Sequence, residues 1–203
     1  MKRMNRIEFS NWKYVPIVAL FLSLTIVSCS RTGDSGSVGE SGNGVDTANE
    51  LDAEQRVREL DITLRPMGEP TNSFVTAVQA GDMLYLSGRG PVLEDGEFMR
   101  GKVGIDLTVE EGYEAARLTG IDLLAALKSE LGDLNRVVRI VKVLGVVNSS
   151  LEFEQHPQVI NGFSDLMVDV FGERGRHARS ALGMGSLPFG IPVEIEMIVQ
   201  IRD

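Results

Sequence analysis

Residues 178–201 read ARSALGMGSLPFGIPVEIEMIVQI, and the fold prediction begins from this stretch. Two strand-like segments, Ser180–Leu187 and Val193–Ile201, are separated by residues 188–192, which include two prolines and a glycine. In the second segment, apolar residues alternate with Glu194 and Glu196. Because successive side chains of a strand point to opposite faces of its sheet, both carboxylates are predicted to lie on the same face.

The preceding segments predict a sheet covered by helices. Thr108 and Glu111 have the spacing of a capping box, at the start of a helix that ends near Gly132. The predicted elements are a short helix over Leu51–Leu60, strands over Phe74–Gln79 and Met83–Ser87, the helix behind Thr108, a β-branched strand over Val137–Val147, a helix over Pro157–Phe171 and the two final strands. The order β-β-α-β-α-β-β predicts an α+β fold, a mixed sheet with two helices packed on one face.

The first 50 residues differ in composition from the rest. Four basic residues within the first 13 positions precede an apolar run over Val15–Val27, which is followed by Ser28 and Cys29, the single cysteine of the chain. Thirteen residues are too few to span about 30 Å of hydrocarbon as a helix, so a transmembrane anchor is not expected. Because residues 26–29, Ile-Val-Ser-Cys, resemble a lipobox, residues 1–28 are predicted to be a lipoprotein signal peptide and Cys29 to receive the lipid. An ordinary signal peptide with a coincidental cysteine is the alternative. Residues 29–50, rich in Gly and Ser, are predicted to be a flexible linker to a domain over residues 51–203.

The charge of the exported form disfavours nucleic acid as a partner. The chain has 20 basic and 29 acidic residues, of which residues 1–28 contain four and one. Processing would therefore leave 16 basic and 28 acidic residues, a net charge of −12. Such a surface repels phosphate backbones, and no basic cluster with interleaved aromatic residues offsets it. The predicted location is the cell envelope, where a lipid-anchored protein would face the periplasm or the exterior.

Familiar catalytic motifs are absent from the sequence. It contains no Gly-rich phosphate loop before a helix and no paired metal-ligand motif, and acylation would consume the only cysteine. The two histidines, His156 and His177, are interpreted as capping or surface residues. The stripe formed by Glu194 and Glu196, taken by itself, is typical of a solvated sheet face.

The run ARS(x)6LPxxxxVEIE over residues 178–196 resembles the signature of the Rid family. These reactive-intermediate deaminases are also described as YjgF-like, L-PSP endoribonuclease-like or chorismate-mutase-like proteins. The resemblance covers about residues 51–203, and it includes GDMLYLSGRGPV at 81–92 and GKVGIDLTVEEGYEAARL at 101–118. It implies a homotrimer with three clefts between subunits, working without metal or cofactor.

The resemblance also implies roles for individual residues. Arg179 would bind the carboxylate of a 2-imino or 2-enamino acid through two parallel hydrogen bonds, and Glu194 would hold or help deprotonate the attacking water. Gly88 would present backbone groups to the substrate, and Asn161 would form a polar wall or interface.

Three positions depart from the family pattern. Ala181 stands where a cysteine or threonine often follows the Arg-Ser pair. Phe74 stands where deaminating members usually have a tyrosine, so the hydroxyl is missing. Arg89 replaces a common glutamine and is expected to add a second cation to the pocket. Three functions stay open at this point: hydrolysis of a reactive imine or enamine to a 2-keto acid and ammonia, capture of a small carboxylate without turnover, and an envelope scaffold. The expected partners are a small carboxylate, further copies of the chain, and the membrane through the lipid.

Overall fold

The computed structural model describes residues 51–68 and 73–202. The predicted signal peptide, Cys29 and the linker lie outside these residues. Within the described ranges, no helix combines the length and the hydropathy needed to cross a membrane.

The described residues form three helices and five strands, in the predicted order. The helices are α1 (Ala53–Glu59), α2 (Val109–Leu131) and α3 (His156–Phe171). The strands are β1 (Ala77–Ala80), β2 (Met83–Arg89), β3 (Val137–Asn148), β4 (Ala178–Met184) and β5 (Val193–Ile201). Short 3-10 turns follow α2 and α3 and separate β4 from β5. The predicted α+β class is confirmed.

The strands form one mixed sheet in the order β1-β2-β5-β3-β4. β3 and β4 are parallel, and every other neighbouring pair is antiparallel. The parallel pair follows from connectivity, because α3 carries the chain from the end of β3 back to the start of β4. In this strand order, the last strand of the chain, β5, lies in the middle of the sheet.

One face of the sheet is covered by helices and the other is open. Residues 193, 195, 197, 199 and 201 of β5 are buried, and α2 and α3 pack over this side of the sheet. Glu194 and Glu196 alternate with them and lie on the open face, as predicted. The open face also carries apolar side chains that are about half exposed: Val78, Tyr85, Leu182 and Met184.

Helix α2 begins and ends as its sequence predicts. Thr108 Oγ1 accepts from the Glu111 amide at 3.1 Å, and the Glu111 carboxylate accepts from the Thr108 amide at 2.7 Å. Gly132 ends the helix with a φ of 75°, a left-handed conformation that favours glycine.

Two predicted strands begin at a different residue from the observed ones, and β2 and β3 extend two residues and one residue beyond their predicted ends. β4 runs over Ala178–Met184 instead of 180–187, because its parallel partner β3 ends at Asn148, opposite Met184. β1 begins at Ala77 instead of Phe74. Before it, the Ser87 amide still donates to the Thr76 carbonyl at 2.9 Å, and at Val75 the Ser87 hydroxyl donates to the carbonyl instead, at 2.7 Å.

The contact between α2 and α3 depends on a missing side chain at Gly162. A Cβ at this position would overlap the backbone carbonyl of Tyr113 in α2. The two helix backbones can therefore approach closely only with glycine here.

Gly162→Ala should destabilise the protein by about 1–3 kcal/mol, although alanine is the better helix former by about 1 kcal/mol, because the clash is with backbone that cannot rotate away. Gly185→Ala is the matched control, since an added Cβ there meets no atom within 4 Å. Its effect should stay within about 0.5 kcal/mol. Urea unfolding of both variants tests this, and equal stabilities would contradict the backbone contact.

Candidate functional site

Arg179 is the second residue of the edge strand β4, and its side chain lies against α3. Nη1 donates to Asn161 Oδ1 at 3.0 Å and to Ser164 Oγ at 2.9 Å. Nη2 makes a longer contact of 3.4 Å with the carbonyl of Pro157. The guanidinium is thus held along one edge by the helix that precedes its strand.

An open pocket of about 560 Å³ lies beside this guanidinium, between α3 and the start of β4. It is lined by Ser164, Asp165, Val168, Asp169, Arg176, His177 and Arg179. Two arginines and two aspartates line the pocket, and Arg176 is paired with Glu173 at 3.0 Å, so the guanidinium of Arg179 is the cation at its wall that lacks such a carboxylate partner among the described ion pairs. Within residues 51–68 and 73–202, no group of three or more His, Cys, Asp or Glu side chains could hold a metal ion.

His177 links the pocket to the backbone. Its Nδ1 lies 2.7 Å from the carbonyl oxygen of Gly175, and its Nε2 lies 3.1 Å from Ser164 Oγ. Burial lowers the pKa of His177 from its ordinary 6.5; the Gly175 carbonyl opposes this shift, and the positive charge of Arg179 adds to it. His177 therefore binds the carbonyl of the last residue of a 3-10 helix, as a capping histidine does, and it is half buried in the pocket wall. His156 begins α3 and contacts Ser149 Oγ at 3.2 Å.

Glu194 lies on the open face, against Gly88 of the neighbouring strand β2. A Cβ at position 88 would overlap the Glu194 carboxylate, so glycine leaves the space that this carboxylate occupies. Burial raises the pKa of Glu194, and the negative charge of Glu196 raises it further. A carboxyl group shifted in this direction exchanges protons closer to neutral pH, which suits a general acid or base.

Arg179 and Glu194 lie on opposite faces of the sheet within one chain. Arg179 is paired with Val143 of β3, and Val143 is paired in turn with Met197 of β5; Val143 and Met197 are both buried on the helix side. Glu194 lies three positions before Met197 in the same strand, on the open side. The structure therefore brings Arg179 together with Asn161 and Glu194 together with Gly88, but it does not join the two pairs.

The side chain of Arg89, which follows Gly88 in β2, contacts neither Arg179 nor Glu194 and binds Asp122 of α2 instead. Its Nε lies 2.8 Å from Oδ2 of the buried Asp122, whose Oδ1 lies 2.5 Å from Arg65 Nη2. Arg89 Nη2 also contacts Met67 Sδ at 3.3 Å. The guanidinium therefore neutralises a carboxylate of α2 under residues 65–67, instead of lying beside Arg179.

Phe74 lies in the segment before β1, and its side chain is 62% exposed. Because β1 and β4 are the two edges of the sheet, three strands separate this segment from Arg179 within one chain.

Ser164 and His177 are pocket residues that the sequence interpretation missed. Ser164 follows Asn161 by three positions, which places both on one face of α3. His177 precedes Arg179 by two positions, so both side chains project toward the same side of an extended segment. These two spacings were the signal available in the sequence.

Comparison with known proteins assigns the domain to a family. Residues 68–193 match the family model described as "YjgF/chorismate_mutase-like, putative endoribonuclease". Protein TCP17 of Trypanosoma cruzi is 41% identical over 148 residues, which are 72% of this chain and 92% of that protein.

Two solved structures resemble the domain. The protein Atu1372 of Agrobacterium tumefaciens, described as of unknown function, is 42% identical with a TM-score of 0.67, and the match covers 74% of this chain and 94% of that one. A protein of Shewanella oneidensis described as a "putative endoribonuclease" is 30% identical with a TM-score of 0.70, over 74% and 99% of the two chains. The family match, which spans most of the described domain, and these likenesses in sequence and fold lead to one conclusion: the chain belongs to the YjgF/chorismate-mutase-like family.

Proposed function

We propose that the pocket beside Arg179 binds small molecules through a carboxylate group. The observation that carries this proposal is the guanidinium itself, held by Asn161 and Ser164 at the wall of an open pocket. An arginine oriented in this way offers a planar set of donors that matches a carboxylate.

We further propose that the chain forms a homotrimer and that the pocket is completed between subunits. The trimer itself is expected from the family resemblance. Its physical support is the open sheet face, where half-exposed Tyr85, Leu182 and Met184 form an apolar surface of a kind that monomers rarely leave uncovered. In closed symmetry, the open face of one subunit can lie near the β4 edge of the next. Glu194 of one subunit could then approach Arg179 of another.

The oligomeric state can be tested on the full chain in mild detergent. Sedimentation at micromolar concentration should give a trimer for the natural protein, and Leu182→Glu should dissociate it, because the variant would bury an unpaired charge in the interface. Leu151→Glu is the control, since Leu151 is 94% exposed in the turn after β3; this variant should stay trimeric. A natural protein that sediments as a monomer would contradict both the trimer and the shared pocket.

Imine hydrolysis is the second candidate, favoured by the environment of Glu194. In this reaction water adds to the C=N carbon of a 2-imino acid, the carbon–nitrogen bond breaks, and a 2-keto acid and ammonia leave. Glu194 would accept a proton from the water and return one to the departing nitrogen, a role that its raised pKa suits. Arg179 would hold the carboxylate meanwhile. Phe74 supplies no hydroxyl to this chemistry. If hydrolysis is absent, the function would be binding without turnover or an envelope scaffold.

Substitutions at the two positions should separate binding from hydrolysis. Arg179→Lys keeps the charge but loses the planar donor pair, so 2-oxobutyrate should bind about ten- to a hundredfold more weakly in calorimetric titration. Glu194→Gln should bind 2-oxobutyrate normally and release no ammonia from 2-iminobutyrate, because its role is toward water.

Arg58→Lys, on the exposed side of α1, serves as the control and should leave binding and ammonia release unchanged. Melting curves accompany each titration. A lowered melting temperature for Arg179→Lys with undiminished affinity would mean that Arg179 has a structural role only.

We also propose that a lipid on Cys29 anchors the protein in the cell envelope. The support is the sequence alone: a basic start, an apolar run and a lone cysteine behind a small residue. Several acyl chains, at roughly 0.8 kcal/mol per buried methylene, would hold the domain at the membrane, and residues 30–50 would act as a spacer.

Cys29→Ala should abolish membrane association, since the modified thiol is the proposed attachment point. Cell fractionation followed by immunoblotting should find the variant in the soluble fraction or as an unprocessed precursor. Ser35→Ala, within the predicted linker, is the control and should remain in the membrane fraction. A fully processed alanine variant in the membrane pellet would rule out lipid anchoring through this cysteine.

A further inference from the structure

The hydrogen bonds around His177 determine where the Ser164 proton lies. A carbonyl oxygen only accepts, so the 2.7 Å contact with Gly175 requires the hydrogen of the imidazole on Nδ1. In the neutral ring Nε2 is then an acceptor, and the Ser164 hydroxyl must donate to it across 3.1 Å. Arg179 donates to the same hydroxyl oxygen. With His177 neutral, the Ser164 proton is therefore held by His177 and is not available to a ligand.

We infer that Ser164 and His177 complete the anion-binding site around Arg179, and that an anionic ligand binds there together with one proton taken up by His177. This inference rests on the proposed carboxylate binding and specifies how the same pocket holds its ligand. The ligand class is a small molecule with a single carboxylate.

Protonation of His177 reverses the hydrogen bond to Ser164. The charged ring carries hydrogens on both nitrogens, so Nδ1 still donates to Gly175 and Nε2 now donates to Ser164 Oγ. The Ser164 hydroxyl no longer has an acceptor in His177, and its proton is free to turn toward a carboxylate in the pocket. One proton thus adds a positive charge and a hydroxyl donor to the site.

A bound anion also offsets one of the causes that lower the pKa of His177. Burial and the charge of Arg179 lower the pKa of His177, and a carboxylate beside Arg179 counters that charge. By linkage, a ligand that favours the protonated ring is itself bound more tightly when the ring is protonated.

Besides His177, the charged groups around the pocket are Arg179, Arg176 with its partner Glu173 at 3.0 Å, and Asp165 and Asp169 of α3. Among these residue types, histidine is the one whose ordinary pKa lies in the physiological range. Phe163 packs edge-on against the imidazole and carries no charge. A pH dependence between about 5.5 and 8 therefore reports His177.

The experiment follows the binding of 2-oxobutyrate to the full chain in mild detergent. Affinity should rise about tenfold from pH 8 to pH 5.5, the effect of one added charge-assisted contact in an open pocket. Calorimetry near pH 6.5, in two buffers that differ in ionisation enthalpy, should show net proton uptake on binding. Because the chain has only two histidines, NMR can also follow both rings, and the titration midpoint of His177 alone should rise with ligand.

Matched variants separate this inference from a structural role. His177→Gln should bind at every pH as the natural protein does at pH 8, with no proton uptake. Ser164→Ala should keep the pH dependence with a smaller rise in affinity, because the charge remains and the hydroxyl donor is lost. His156→Gln, which changes the other histidine outside the pocket, should behave as the natural protein.

Two results would overturn the inference, and they differ in what else they affect. Binding that depends on Arg179 but is constant over this pH range, without proton uptake, removes the role of His177 and leaves carboxylate binding intact. No binding of 2-oxobutyrate at any pH removes both the carboxylate pocket and this extension of it.

Discussion

Strand β5 lies in the middle of the sheet, hydrogen-bonded to β2 on one side and to β3 on the other. Its alternation of apolar and acidic residues permits only one register. A slip of one position would turn Glu194 and Glu196 into the core beneath α2 and α3 and expose the residues that now fill it. The orientation of both faces, and with it the position of every candidate site residue in the sheet, depends on this strand.

The parallel pairing of β3 with β4 explains how Arg179 is held. A parallel connection requires a crossover, and here the crossover is α3. The helix therefore returns alongside the strand that it precedes, and Asn161 and Ser164 meet the guanidinium from one face of the helix. Since Glu194 lies on the other side of the sheet, a reaction that uses both groups needs a second subunit. Carboxylate binding through Arg179 alone does not need a second subunit.

A cluster of buried charges lies near β2, two strands away from the β3–β4 pair that positions Arg179. Asp122 of α2 is 4% exposed and lies between Arg65 and Arg89. A buried carboxylate of this kind is tolerated because it is paired, and removing one partner would leave an uncompensated charge. The cluster joins the segment before β1 to the end of β2 and to α2. Arg89, which the family resemblance placed at the pocket, therefore binds Asp122 within the chain.

The sequence by itself determined the order of helices and strands, the capping of α2 and the common face of Glu194 and Glu196, because each depends on local spacing or on the two-residue period of a strand. The family motifs also indicated Arg179 and Asn161 as site residues. Only the tertiary structure decided that Arg89 neutralises Asp122, that His177 and Ser164 line the Arg179 pocket, and that Arg179 and Glu194 lie on opposite faces. These facts depend on which strands become neighbours and on how helices cross them, and no local pattern encodes either.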